Sequence, residues 1–264
     1  MCGIAGYSLA ESSTLDRTLA AQALLAGIAE RGADAVGYAH RSPGEAASVH
    51  KQRSGASALL DQIAIPQSAT EVLIHVRDYT KGHPTVAANN HPVRHGAVVG
   101  IHNGVIFNDD ELLGEHDCAR TEPGMTVDSE AIFAVAAHSR GDAEALEALR
   151  GSMATAWIDE RREQSVLIAR GVGRPLWLGA GDSEMFFAST ELALEVVERY
   201  LELSLEKREL HEGMLVELGR GREIASTRFQ PNREFEENPL PAVRAPNEAV
   251  FCLRRLAMLV AAAH

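Results

Sequence analysis

Two hydrophobic periods, one of about two residues and one near 3.6, divide this 264-residue chain into strands and helices. The opening run Cys2-Gly3-Ile4-Ala5-Gly6-Tyr7 is apolar and small, and reads as a buried strand that projects its first residue into a pocket. Leu15, Leu19, Ala23 and Ile28, helped by Leu24 and Leu25, recur at helical spacing up to Arg31-Gly32. They predict a helix with one face on the core, with Ser12, Ser13 or Thr14 as its N-cap. The stretch from Arg31 to Tyr38 then turns into a strand, and His50 to Gln52 begins its hairpin partner after the Ser42-Pro43-Gly44 turn.

Further on, Glu71 to Val76 reads as a strand that runs into a polar loop from Arg77 to Pro84. A second strand, Ala97 to Ile101, is expected to end in His102-Asn103-Gly104, so that two neighbouring strands deliver Arg77 and Asn103 to one rim. The pattern from Val127 through Ala137 is helical, opened by Asp128 or Thr126 as cap, with Glu130 in the first turn where the helix dipole favours a carboxylate. A short helix is expected from Asp142 to Leu149 and another near Glu191 to Tyr200. The remainder, Ala154 to Ile158, Ser165 to Ala169, Leu176 to Leu178, Met185 to Ala188, Met214 to Leu218 and Glu223 to Thr227, alternates as strands. Many strands joined by tight turns, with a few helices, predict layered sheets covered by helices. Beyond Gln230 the chain turns Pro- and Glu-containing from Asn232 to Pro246 and ends in a helical pattern from Glu248 to Ala262. The reading is one domain over residues 2–230 and a C-terminal arm, 231–264, that packs on the domain or on a partner.

Composition narrows the function classes. Hydrophobic residues make up 45% and charged residues 23%, as in an ordinary globular chain. The formal net charge is −12 and no Lys/Arg cluster is present to neutralise successive phosphates, which argues against a nucleic-acid partner. No stretch has the length to span a bilayer and no signal peptide precedes the first strand, so a cytoplasmic protein away from membranes is expected. Cys2, Cys118 and Cys252 are widely spaced and form no CxxC pair. His75, His83, His91, His95 and His102 crowd into a short span, but Pro92 interrupts any helical spacing and no HExxH pattern is present. They read as structural or loop histidines, and neither a metal nor a cofactor is expected.

The chemistry that stands out is at the start. Removal of Met1, which a small following residue permits, would leave Cys2 with both a thiol and a free α-amine. The amine titrates near 7.7–8.0 and can take the thiol proton, so nucleophile and base would be one residue.

The motifs Cys2-Gly3-Ile4, Arg31-Gly32-Ala33-Asp34-Ala35-Val36-Gly37, His75-Val76-Arg77, Asn90-His91-Pro92, His102-Asn103-Gly104 and Asp128-Ser129-Glu130 come in a telling order. Leu149-Arg150-Gly151, Arg174-Pro175-Leu176 and Ala188-Ser189-Thr190 extend it, so that order and spacing agree over roughly residues 2–230. In these motifs the chain resembles the class II glutamine amidotransferase domains of the N-terminal-nucleophile hydrolases, most closely the glutaminase domain of glucosamine-6-phosphate synthase. The resemblance implies an α+β fold, a four-layer αββα sandwich of two antiparallel sheets. It implies that Cys2 attacks the side-chain amide of L-glutamine to form a γ-glutamyl thioester and release ammonia. Asn103 and Gly104 would be oxyanion donors. Arg77 would hold the substrate α-carboxylate, Asp128 its α-ammonium, and His102 would lie in the same substrate pocket.

Two departures qualify this picture. That synthase branch carries a Trp directly after the carboxylate-binding Arg, whereas Asp78 and then Tyr79 follow here. No sugar-isomerase, phosphoribosyltransferase or ATP-pyrophosphatase pattern follows residue 230, so a separate synthase is expected to accept the ammonia, with homo-oligomerisation left open. Competing readings are a hydrolase of another γ-glutamyl compound or amide, and a catalytically silent regulatory subunit with Met1 retained.

Overall fold

The computed structural model describes residues 2–238 and 240–263. Strand β1 (Gly3–Leu9) is buried along its whole length and lies at the centre of a seven-stranded sheet. Its neighbours are β4 (Glu71–Arg77) on one side and β10 (Glu184–Ala188) on the other. Beyond β4 come β2 (Ala35–Arg41) and β3 (Ser48–Gln52), and beyond β10 come β9 (Trp177–Ala180) and β11 (Glu206–Glu209). The second sheet has the order β13 (Arg222–Arg228), β12 (Met214–Gly219), β8 (Ser165–Arg170), β7 (Gly151–Asp159), β6 (Val98–Ile106) and β5 (Val93–His95). The strand pairs of both sheets are antiparallel.

Period-two alternation splits each inner strand between two cores. On β1, Ile4 faces the other sheet while Ala5, Tyr7 and Leu9 face helices; on β4, Leu73 faces the other sheet while Val72, Ile74 and Val76 face helices. The inter-sheet layer joins these residues to Val99, Ile101, Ala154, Ala156 and Ile168 of the second sheet. Helices α1 (Arg17–Ile28), α2 (Ala56–Leu59), α5 (Glu191–Leu201) and α6 (Pro246–Ala263) cover the first sheet. Helices α3 (Asp109–Glu115) and α4 (Ser129–Ser139) cover the second. The result is the four-layer αββα sandwich.

Several local expectations are corrected. The N-cap of α1 is Asp16, whose side chain accepts the Leu19 N–H at 2.9 Å, rather than Ser12, Ser13 or Thr14. That helix is also buried on nearly every side, because α5 and α6 pack on the faces that the sheet leaves. Its Ala-rich composition permits the approach, and Gly27 meets Ala193 so closely that an added Cβ would sit 2.4 Å from the Ala193 Cα. The segment around Asp142 to Leu149 is a 3-10 turn over Glu144–Ala148. Strand β6 does not stop at Ile101. It continues to Ile106, because β7 supplies ladder partners along the whole stretch, Asn103 opposite Ala154 and Gly104 opposite Met153. Arg77 and Asn103 therefore sit on strands of different sheets that face each other, and not on hydrogen-bonded neighbours.

Candidate active site

The register of β1 and β4 places Gly3 opposite Val76 and Ile4 opposite His75. One step further out, Cys2 and Arg77 end side by side, both on the parity that faces the second sheet. Arg31 adds a fixed point, donating its Nε–H to the Cys2 carbonyl at 3.3 Å. Opposite them, the N-terminus of α4 and the outer half of β6 complete a small cavity. Its walls include Cys2, Arg77, Asp78, Lys81, His91 and Asp128, and Gly104 and His102 also reach it. The free space is about 10 Å³, room for roughly one water.

What closes the cavity is the loop after β4. The Cys2 thiol donates to the Asp78 carbonyl at 3.5 Å. Asp34 accepts the Tyr79 N–H at 3.0 Å, and Lys81 binds both oxygens of Asp109 at 2.6 and 2.7 Å. Arg77 itself is spent largely on this loop. Its Nη2 donates to the carbonyls of Lys81 (2.8 Å) and Gly82, and its Nη1 to Asn90 Oδ1 at 2.6 Å. Among the described residues, its Nε–H and second Nη1 hydrogen have no partner.

Burial sets the protonation states. It pushes the Cys2 thiol above its ordinary value, partly offset by the hydrogen bond to Asp78 and the charge of Arg77. It raises Asp128 to about 6, against the Ile106 N–H that its Oδ2 accepts at 2.7 Å. Asp128 occupies the N-cap position of α4, yet makes no capping hydrogen bond there: its side chain crosses to β6 instead. His75 and His102 are both driven down to about 3 by burial, and His91 is driven well below the usual imidazole range. These rings are neutral at ordinary pH.

The histidines divide by their partners. His102 Nε2 faces the Ser152 carbonyl at 3.3 Å and its Nδ1 faces Ser129 Oγ at 2.9 Å, so both nitrogens are committed to bracing β6 against β7 and α4. His75 donates to the His102 carbonyl at 3.0 Å and stacks on His91, ring centroids 4.2 Å apart. Among the described residues, neither nitrogen of His91 has a hydrogen-bond partner.

Asn103 is fully buried between the sheets, and among the described residues neither its amide nitrogen nor its amide oxygen has a partner. Buried polar groups are nearly always satisfied, so an amide left bare at this point is available to a ligand atom. Beside it, Gly104 takes φ +146° with Ser152 O only 1.9 Å from where a Cβ would stand, which no side chain can accept. Asn103 and Gly104 are thus an interior piece of a strand and not a hairpin turn.

Of the six residues picked from sequence, five line the one cavity, and Asn103 stands next to Gly104 with its side chain on the inter-sheet face. Asn90, which the sequence placed in a motif without a role, holds Arg77, and sequence reasoning missed Asn89, whose Oδ1 accepts the N–H groups of Thr126 (2.7 Å) and Val127 (3.0 Å) ahead of α4. The Asn89-Asn90 pair before His91-Pro92 was the available signal. Among the described residues no group of three or more His, Cys, Asp or Glu is placed to hold a metal ion, and no helix is long and apolar enough to cross a membrane.

Comparison with known proteins identifies the family and the fold. The family profile described as a glutamine amidotransferase domain matches residues 67–196. The glutamine--fructose-6-phosphate aminotransferase (isomerizing) of Shigella flexneri is 34% identical over 216 residues, covering 75% of this chain and 33% of that protein. The Rhizobium leguminosarum bv. viciae protein of the same name is 31% identical over 207 residues, covering 74% and 32%. The chain thus spans about a third of the length of these relatives. Among solved structures, the glutamine phosphoribosylpyrophosphate amidotransferase of B. subtilis superposes with a TM-score of 0.66 at 17% identity, over 86% of this chain and 49% of that one. A structure described as the allosteric regulatory enzyme of purine biosynthesis gives 0.67 at 20% identity with the same coverage. At these identities the two structures speak for the fold.

Proposed function

The chain belongs to the class II, N-terminal-nucleophile glutamine amidotransferases, and from that premise we propose that it hydrolyses the side-chain amide of L-glutamine and passes the ammonia to a synthase partner. The relatives' names specify glutamine as their nitrogen source. The observation that carries the reading is the convergence of Cys2, Arg77, Gly104 and Asp128 on one buried cavity, with the bare amide of Asn103 beside it.

The chemistry follows from the residues. With Met1 removed, the Cys2 α-amine takes the thiol proton as sulfur attacks the amide carbon, which overcomes the burial that otherwise keeps the thiol neutral. A C–S bond forms and the carbonyl becomes an oxyanion, to which Asn103 Nδ2 and the Gly104 N–H donate. As the C–N bond breaks, the ammonium form of the α-amine returns a proton to the leaving nitrogen and ammonia departs. Water then hydrolyses the γ-glutamyl thioester to glutamate and restores the thiol. Arg77 takes the α-carboxylate and Asp128 the α-ammonium, while His102 braces the strand that carries Asn103 through its nitrogens' contacts with Ser129 and the Ser152 carbonyl.

We read residues 2–230 as the amidotransferase domain and 231–264 as an arm, and place the reaction in the cytoplasm, a reading supported by the free thiols Cys2, Cys118 and Cys252. The near-filled cavity and the raised thiol pKa favour one rival, a silent subunit that keeps Met1; residue 1 lies outside the described residues. The test joins the mass of the purified chain to an ammonia-release assay. Loss of one Met with glutamine-dependent ammonia release supports the proposal; a retained Met with no release sinks it.

A further inference from the structure

We propose that Arg244 is a positioning residue that latches the loop after β4 shut over Cys2 and so limits access to the nucleophile. Arg244 lies in the arm, beyond the motifs that define the amidotransferase domain. Its Nε donates to Asp78 Oδ2 at 3.0 Å, and the carbonyl of that same Asp78 receives the Cys2 thiol. One residue therefore joins the arm to the nucleophile.

Arg244 is held in place for this contact. The N–H groups of Arg244 and Ala245 both donate to the Glu30 carbonyl, at 2.8 and 2.9 Å, next to the Arg31 that grips the Cys2 carbonyl. Four residues on, the Glu248 carboxylate accepts from Ser57 N at 2.8 Å and Ser57 Oγ at 3.2 Å. Cys252 and Leu256 of α6 are fully buried in the core beneath the first sheet. On the other side the arm is fastened by the Glu237 contact to the buried Arg174 and by Phe235 against Phe107, ring centroids 5.7 Å apart. Because its backbone is fixed before the pair forms, Arg244 loses little further freedom in meeting Asp78.

The cavity holds about 10 Å³ in this closed arrangement, so glutamine can enter only if its walls move, and Asp78, Tyr79, Thr80 and Lys81 form the wall that Arg244 holds. The Arg244 side chain is 44% exposed, which makes the pair weak, reversible and sensitive to salt. A weak latch that stabilises the closed, empty state lowers the population that can admit a ligand, and raises the apparent KM by the same factor. The gating of glutamine in this inference rests on the proposed activity; the gating of thiol access does not.

The test is the rate at which iodoacetamide alkylates Cys2, followed by peptide mapping in the full-length chain, beside steady-state glutaminase kinetics. Arg244→Ala should raise the alkylation rate about two- to fivefold and lower KM for glutamine by a similar factor with kcat unchanged. Arg244→Lys should fall between, and Asp78→Asn, which keeps the backbone carbonyl, should raise the alkylation rate at least as much as Arg244→Ala. The double variant should gain nothing over Asp78→Asn alone. The wild-type rate should rise from low to high salt while that of Arg244→Ala stays flat. Unchanged labelling in a well-folded Arg244→Ala, or a wild-type rate insensitive to salt, overturns the latch. If Arg244→Ala fails to fold, Asp78→Asn and the salt series decide. If no ammonia is released from glutamine while labelling responds as described, the proposed activity falls and the latch stands.

Discussion

The thiol of Cys2 donates to the backbone carbonyl of Asp78 at 3.5 Å, so the candidate nucleophile is tied to the first residue of the loop that covers it. A thiol held by a neutral carbonyl and buried is protonated at rest, and in the proposed mechanism its activation depends on a base that arrives with the free N-terminus. Cys2→Ala should abolish ammonia release while the thermal midpoint stays within a few degrees of wild type, since a small group is lost at the rim of the core. Cys2→Ser should be nearly as inactive, as a hydroxyl is a far poorer nucleophile toward the same amine. Ammonia release by Cys2→Ala would sink the mechanism.

Asn103 gives a second prediction, because activity and stability should part company there. Replacing a fully buried amide with no partner among the described residues removes a desolvation cost of about 1–3 kcal/mol. Asn103→Ala should therefore melt no lower than wild type despite the smaller side chain. Its kcat should fall on the order of a hundredfold with a smaller change in KM, since the lost donor acts mainly on the oxyanion. Thermal melts and steady-state kinetics on one preparation would show a lower midpoint if the amide were instead structural.

Gly104 should tolerate nothing larger. At φ +146° with Ser152 O 1.9 Å from an added Cβ, Gly104→Ala must displace β7 from β6. Backbone strain alone costs about 1–3 kcal/mol, so a clearly lowered melting temperature is expected together with loss of activity. Circular dichroism melts are sufficient, and an unchanged midpoint would contradict the described register.

The pH dependence has two limbs with opposite causes. The α-amine must be unprotonated to act as base, so kcat/KM should rise with pH through about 7.7–8.0. Asp128 must be ionised to hold an α-ammonium, and burial raises its pKa to about 6. Below that value the protonated carboxyl predominates, and KM for glutamine should climb as pH falls. Asp128→Asn should lose this acid-side dependence of KM, and a retained one would remove Asp128 from the ammonium site.

Arg77→Lys tests the head group. A lysine cannot reach Asn90, Lys81 and Gly82 together and still present a second pair of donors, so both the carboxylate contact and the loop tether weaken. KM for glutamine should rise roughly ten- to a hundredfold, and Cys2 should become easier to alkylate. An unchanged KM would favour a substrate with a different head group.

Much of the architecture was legible in the residues themselves. Alternation along Glu71 to Val76 assigns Leu73 and His75 to one face and Val72, Ile74 and Val76 to the other, and the motif order around Cys2 names the chemistry. Local pattern could not say where β6 stops, because the residues from His102 to Ile106 stay extended only through pairing with β7, a partner 45 or more residues away in the chain. Nor could it say that Asp128 forgoes its helix cap for the Ile106 N–H, or that Arg77 is already bonded to its own loop. Least visible was the arm, since a Pro- and Glu-containing stretch carries no period. Its contact with Asp78 arises from α6 burying Cys252 and Leu256 in the first core, which brings Arg244 to the mouth of the site. Periodicity depends on neighbours along the chain, and a polar side chain's partner on what the packed layers bring within 3 Å of it.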